Sequence, residues 1–337
     1  ENVTPTNDTS EVMILSLIQE HAYFSYVNSI SKSYEGKIES IIGNVLRENL
    51  GIDYKTYGAN FQGSVQRPIR VVIPYWSPLD TVRWLKDRAT NENGLPFYLY
   101  ATLNDDELVM TDLEQILSEN VVNQGDGNEF KYGQTFTQNA QESNNLDIQS
   151  LIIENYTLPR TNDGLRMVRD GFANSKYEFI DTISNQSIST DNIRVTDESA
   201  MLNLRNLGIL SDQDGPIYDG LLRFNDRATD NYISSSFSQI VLTNTYEDGF
   251  LNYYEEQFPR EHQNKIRSRI YRNYMLKSPM DIVVPGRRFL GKNAATVGKK
   301  INVQILKNNQ DIYEQDGVSM DDITDYKRSG EYVIYSI

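Results

Sequence analysis

Val71-Val72-Ile73-Pro74-Tyr75-Trp76-Ser77-Pro78-Leu79-Asp80-Thr81-Val82-Arg83-Trp84-Leu85 holds a strand, a stop and a helix start in one short span. Ile69-Arg70-Val71-Val72-Ile73 is rich in β-branched residues and reads as a strand. Pro74 and Pro78 bracket its end. Ser77 is placed to cap a helix, Pro78 suits the first helical position, and Asp80 completes a capping box. Leu79, Val82, Leu85 and Ala89 then recur at helical spacing and define a buried face, with Trp84 beside it. A strand that feeds a capped amphipathic helix is the core of an α+β unit.

On the N-terminal side of this stretch, Ile38, Ile41, Ile42, Val45, Leu46 and Leu50 make one helical stripe, and Gly51 takes the C-cap position. On the C-terminal side, Gly94 and Pro96 break the chain before a strand at 97–103. Asn104 and Asp105 read as a turn, and Leu108-Val109-Met110 as the returning strand. Thr111 to Glu114 fits a second capping box, ahead of Leu113, Ile116 and Leu117. Residues 34–120 are therefore expected to form an α+β domain.

Further out the pattern turns to β-structure. Val12-Met13-Ile14-Leu15 and Ala22-Tyr23-Phe24 read as strands closing an earlier domain at 1–33. Residues 121–147 are rich in Asn, Gln and Gly and read as a loop or arm. Strands are expected at 148–158, 177–183, 234–243, 280–284, 300–306 and 331–337, with a polar insertion at 185–232. A basic helix at about 259–277 has Ile266, Ile270 and Tyr274 as a narrow stripe, with Arg260, Lys265, Arg267, Arg269 and Arg272 on other faces. Against acidic neighbouring subunits these cations have a use; as a nucleic-acid contact they lack base-reading context. No internal repeat of fixed period is present.

The chain has 337 residues and a formal charge of −15, from 32 Lys and Arg against 47 Asp and Glu. That length is enough for two or more domains. Such a surface repels nucleic acid and acidic membranes; it suits the wall of a passage that DNA slides through, or simply keeps the chain in solution. Tyr is abundant, at 22 residues against 12 Phe and 2 Trp. Its ring adds apolar area while its hydroxyl seeks a partner, as in half-buried sheets and subunit contacts. The absence of Cys excludes disulfides and thiolate metal sites. No apolar run approaches the roughly 18 residues of a membrane span, and the polar N-terminal residues do not resemble a signal peptide. Both ends are expected to continue into a longer protein.

The sharpest chemical motif is Gly286-Arg287-Arg288-Phe289-Leu290-Gly291-Lys292-Asn293. It matches the phosphate-binding G-x-x-x-x-G-K but has Asn where Ser or Thr must ligate magnesium, and too little helix follows it. It reads as a β-turn. His21 and His262 lie far apart without ligand spacing and read as surface or helix residues. In Asp212-Gln213-Asp214-Gly215 the Gly comes too early for a calcium loop, and no Glu follows at the bidentate position. The acidic pairs Asp105-Asp106, Glu255-Glu256 and Asp321-Asp322 are read as solvated faces, since a glycosidase needs a specific carboxylate separation. No G-x-S-x-G is present. Asn2, Asn7, Asn155 and Asn185 head glycosylation-type triplets, which chance explains in so Asn-rich a chain. The expectation is therefore no catalytic residue, no cofactor-binding residue and no metal ligand: a chain that is not an enzyme.

With these residues in view, the chain resembles the central hub proteins of the baseplates of contractile-tailed bacteriophages. Three stretches carry the likeness: Val71 to Leu85; Gly94-Leu95-Pro96-Phe97-Tyr98-Leu99-Tyr100 trailed by Asp112-Leu113; and Met280 to Val303 with Ser329-Gly330-Glu331-Tyr332-Val333-Ile334. They run in family order, and residues 121–260 depart most. The resemblance implies an α+β, β-rich chain of tail-tube-like β-barrel domains plus an inserted α+β domain. Residues 1–33 would end an incomplete first barrel, and 148–337 would form the second. It further implies a homotrimeric ring in the virion, assembled in the host cytoplasm. Its partners would be the tail tube or tube-initiator protein, the central spike and other baseplate proteins. DNA would be present only in transit, with no membrane insertion. A tail tube terminator or completion protein, or a cell-wall hydrolase, are the alternatives.

Overall fold

The computed structural model describes residues 2–7, 10–14, 18–56, 68–101, 108–122, 129–133, 149–159, 174–181, 186–189, 193–194, 205–206, 223–224, 227–228, 235–241, 261–276, 279–285, 297–307 and 323–337. Contacts divide the chain into two units, Glu1–Asp53 with Gln66–Arg88, and Tyr54–Val65 with Ala89–Ile337.

In the first unit, β1 (Asn2–Asn7) and β2 (Ser10–Ile14) form an antiparallel hairpin. Next come α1 (Glu20–Val27), β3 (Ile30–Gly36), α2 (Ile38–Leu50), β5 (Ile69–Trp76) and α3 (Pro78–Lys86). β3 and β5 pair antiparallel from Ile30 opposite Trp76 to Gly36 opposite Ile69. The stripe on α2 is buried through Ile38, Ile41, Ile42, Val45 and Leu46, and the core also holds Ile30, Tyr34, Ile73, Val82 and Leu85. Each such aliphatic side chain contributes about 2 kcal/mol by leaving water. Gly51 ends α2 at φ 67, a left-handed turn that a side chain would resist.

Two expectations change here. Ala22-Tyr23-Phe24 lies on helix α1, not on a strand. Three apolar residues in a row carry no period, so neighbours decide, and α1 lies against α2 and α3. Ala89 falls beyond α3 and is buried in the second unit.

The second unit is also α+β. Its first sheet has the order β4 (Tyr54–Thr56), β7 (Leu108–Asp112), β6 (Phe97–Ala101), with β4 parallel and β6 antiparallel to β7. Helix α4 (Leu113–Ser118) follows β7, and the basic helix is α5 (Glu261–Met275). Leu95, Leu113 and Tyr271 form a buried cluster, joined by Tyr98, Leu117, Tyr274 and Met275. α5 is buried more widely than its expected stripe: Asn264 and Ser268 lie inside along with Ile266, Ile270 and Tyr271. The second capping box also shifts. Asp112, not Thr111, caps α4, and its carboxylate accepts from Gln115 N–H at 2.8 Å.

A second group of strands surrounds another apolar cluster. β18 (Gly330–Val333) pairs antiparallel with β17 (Lys300–Ile305), which pairs parallel with β8 (Phe130–Tyr132). Lys131 N–H donates to Leu151 carbonyl at 2.9 Å, and Ile153 N–H to Lys131 carbonyl at 2.8 Å. The chain continues into β9 (Asn155–Thr157), which pairs antiparallel with β16 (Asp281–Val283). Phe130, Leu151, Ile153, Ile301, Val303 and Ile305 are buried between these segments. So 121–147 is not only a loop; residues 130–132 become a strand through their parallel pairing with β17. Among the described residues of the strand expected over 148–158, β9 and an isolated bridge from Ile152 to Lys131 form.

The remaining strands are β10 (Asn174–Asp181), β11 (Gln186–Ser189), β12 (Ile193–Arg194) and β15 (Ser235–Val241) in one sheet, and the hairpin of β13 (Arg223–Phe224) with β14 (Arg227–Ala228). The insertion expected at 185–232 therefore contains short strands. Among the described residues no sheet closes into a barrel.

Candidate interaction surface

In the first unit the most distinctive feature is helix α1, whose burial is inverted. The side chain it buries is Ser25, whose Oγ accepts from Leu79 N–H at 3.0 Å. Its large side chains, Tyr23, Phe24, Tyr26 and Val27, are exposed, with Tyr26 at 87%. An ordinary surface helix turns such residues inward. Tyr23 and Phe24 pack edge-to-face with ring centroids 5.9 Å apart.

Tyr75 is the second feature. The register of β3 with β5 slips between Ile30 and Ser31, whose partners are Trp76 and Pro74, leaving Tyr75 as the extra residue of a β-bulge. Its φ is 58, the left-handed region usually reserved for Gly or Asn, and its side chain is 76% exposed. The bulge holds this ring in solvent. Beyond it, Trp76 and Trp84 meet edge-to-face at 5.7 Å, and Arg88 lies 3.7 Å over the Trp84 ring. Ser77 accepts from Asp80 N–H at 3.2 Å and donates to its carboxylate at 2.7 Å, so the expected cap forms.

Several charges around these strands are paired. Arg70 meets Glu35 at 3.0 Å across the ladder, and Lys32 meets Glu48 at 2.8 Å. The hydrogen bond to Glu48 raises the Lys32 pKa, and the same bond lowers that of Glu48. Burial raises the Tyr34 pKa. These pairs are exposed and add little stability.

In the second unit a polar knot surrounds Asn91, which is buried. Its side-chain oxygen accepts from Asn93 N–H at 3.0 Å and Leu95 N–H at 2.9 Å, while its amide donates to Asp112 and Glu114, each at 3.3 Å. Burial pushes the Asp112 carboxyl above its ordinary range; the Gln115 N–H and Asn91 amide oppose this, and the nearby Glu114 charge adds to it. All lone pairs engaged here serve the turn and the α4 cap, so the knot is structural. Asn264 of α5 donates to Glu92 carbonyl at 3.4 Å, and Gly94 at φ 78 lets α5 approach closely.

His21 is on α1 with a buried Nδ1 that finds no hydrogen-bond partner, and His262 is on α5, in the other unit. Gly286 to Asn293, Asp212 to Gly215, Asp105-Asp106, Glu255-Glu256 and Asp321-Asp322 lie outside the described residues. Among the described residues, no group of three or more His, Asp or Glu is arranged to hold a metal ion. No described helix is long and apolar enough to cross a membrane. The basic side chains Lys265, Arg267, Arg269 and Arg272 all take part in contacts already within the chain. What the described surface offers is aromatic contact area. Sequence reasoning missed it, because Tyr23 and Phe24 default to the interior and nothing in Pro74-Tyr75-Trp76 marks a left-handed residue.

The chain matches no protein-family model and no curated protein sequence.

Proposed function

We propose that this chain is a central hub subunit of a contractile phage tail baseplate. Three copies close β-rich modules into a ring that joins a sixfold tail tube to a threefold spike and leaves a channel for DNA. The reading begins from the three stretches of likeness, which fall on β5 with the capped α3, on β6, and on β16, β17 and β18.

The observation that carries it is the succession β18, β17, β8, 151–157 and β16 around one apolar cluster. Strands wrapped on a shared core support a barrel-type module of the tail-tube kind, and β1 with β2 would be the end of a first such module. Strands at the margins of small sheets favour completion by neighbours. The outward aromatic residues of α1 and Tyr75 also favour a chain that works in an assembly. The net charge of −15 suits a passage that DNA crosses without sticking.

Light scattering after size exclusion, with negative-stain imaging of the same fraction, tests the proposal. A ring of three copies with pseudo-sixfold outline is the expected result. A monomer without a threefold axis overturns it, and a plain hexamer redirects it to a tube terminator.

A further inference from the structure

We draw no further inference here: the strongest candidate, the outward apolar side of helix α1 with the Tyr75 bulge in the first unit, is an unpartnered surface, and nothing in the structure shows what covers it.

Discussion

Tyr75 sits where the backbone would rather have glycine. A left-handed conformation costs an L-residue about 1–2 kcal/mol, and a bulky aromatic has no local hydrogen bond to offset it. At 76% exposure the ring recovers little by packing. Tyr75→Gly removes that strain but gives the unfolded chain more freedom, which costs about 0.5–1 kcal/mol. The net expectation is a stabilisation of about 0.5 kcal/mol, visible as a higher urea midpoint with unchanged slope. A clearly lower midpoint means that the ring has packing partners in solution, contrary to its exposed position. Asp112 gives the second residue-scale test. Its folded pKa lies above the unfolded one, so the native state holds its proton longer. Stability from this group is therefore greatest at low pH and falls as pH rises between the unfolded and folded values, leaving a cost at neutrality. Asp112→Asn abolishes that dependence while keeping an oxygen for the Gln115 N–H. Moving from about pH 3 to pH 7, the difference between variant and wild type should shift in favour of the variant, because the usual Asp value is about 3.9. A constant difference across the range sinks the assignment.

Elements with a clear period were legible in the sequence, and those built from remote contacts were not. Helix α2 could be read from Ile38 to Leu50 because its stripe and its Gly51 stop agree, and α3 because Ser77 and Pro78 mark its start. Helix α1 was not, since its burial follows neither a helical nor a strand period. Strand β8 was missed for another reason. Phe130-Lys131-Tyr132 is too short to show alternation, and its parallel partner β17 is remote in sequence. Tertiary pairing, not local preference, makes it a strand. The Asn91 knot was equally hidden, because its partners Asp112 and Glu114 are brought to it by the return of β7. Phe130→Ala measures how far β8 belongs to the core. The ring is fully buried against Leu151, Val303 and their neighbours, so its loss should cost about 3–5 kcal/mol, read from urea unfolding. A cost below about 1 kcal/mol would return this segment to the loop that its composition implies.

At the scale of the molecule, charge is the property that composition fixes most firmly and that the proposed channel depends on. Binding to duplex DNA is driven by phosphate neutralisation, which needs several Lys or Arg free to replace counterions. The basic helix offers several, yet its described cations are engaged within the chain and α5 is packed against the Leu95 and Leu113 cluster. With 47 acidic residues against 32 basic, the long-range field is repulsive as well. The assembled protein should therefore show no saturable binding of duplex DNA at about 0.15 M salt, where the Debye length is about 8 Å and only close cationic contacts survive. Fluorescence anisotropy of a labelled duplex, repeated at lower salt, checks this. Binding that weakens linearly on a log–log salt plot would reveal a basic footprint on the surface. A ring with such a footprint would hold the DNA it is proposed to let pass, so that result removes the channel from the proposed function even if three copies assemble.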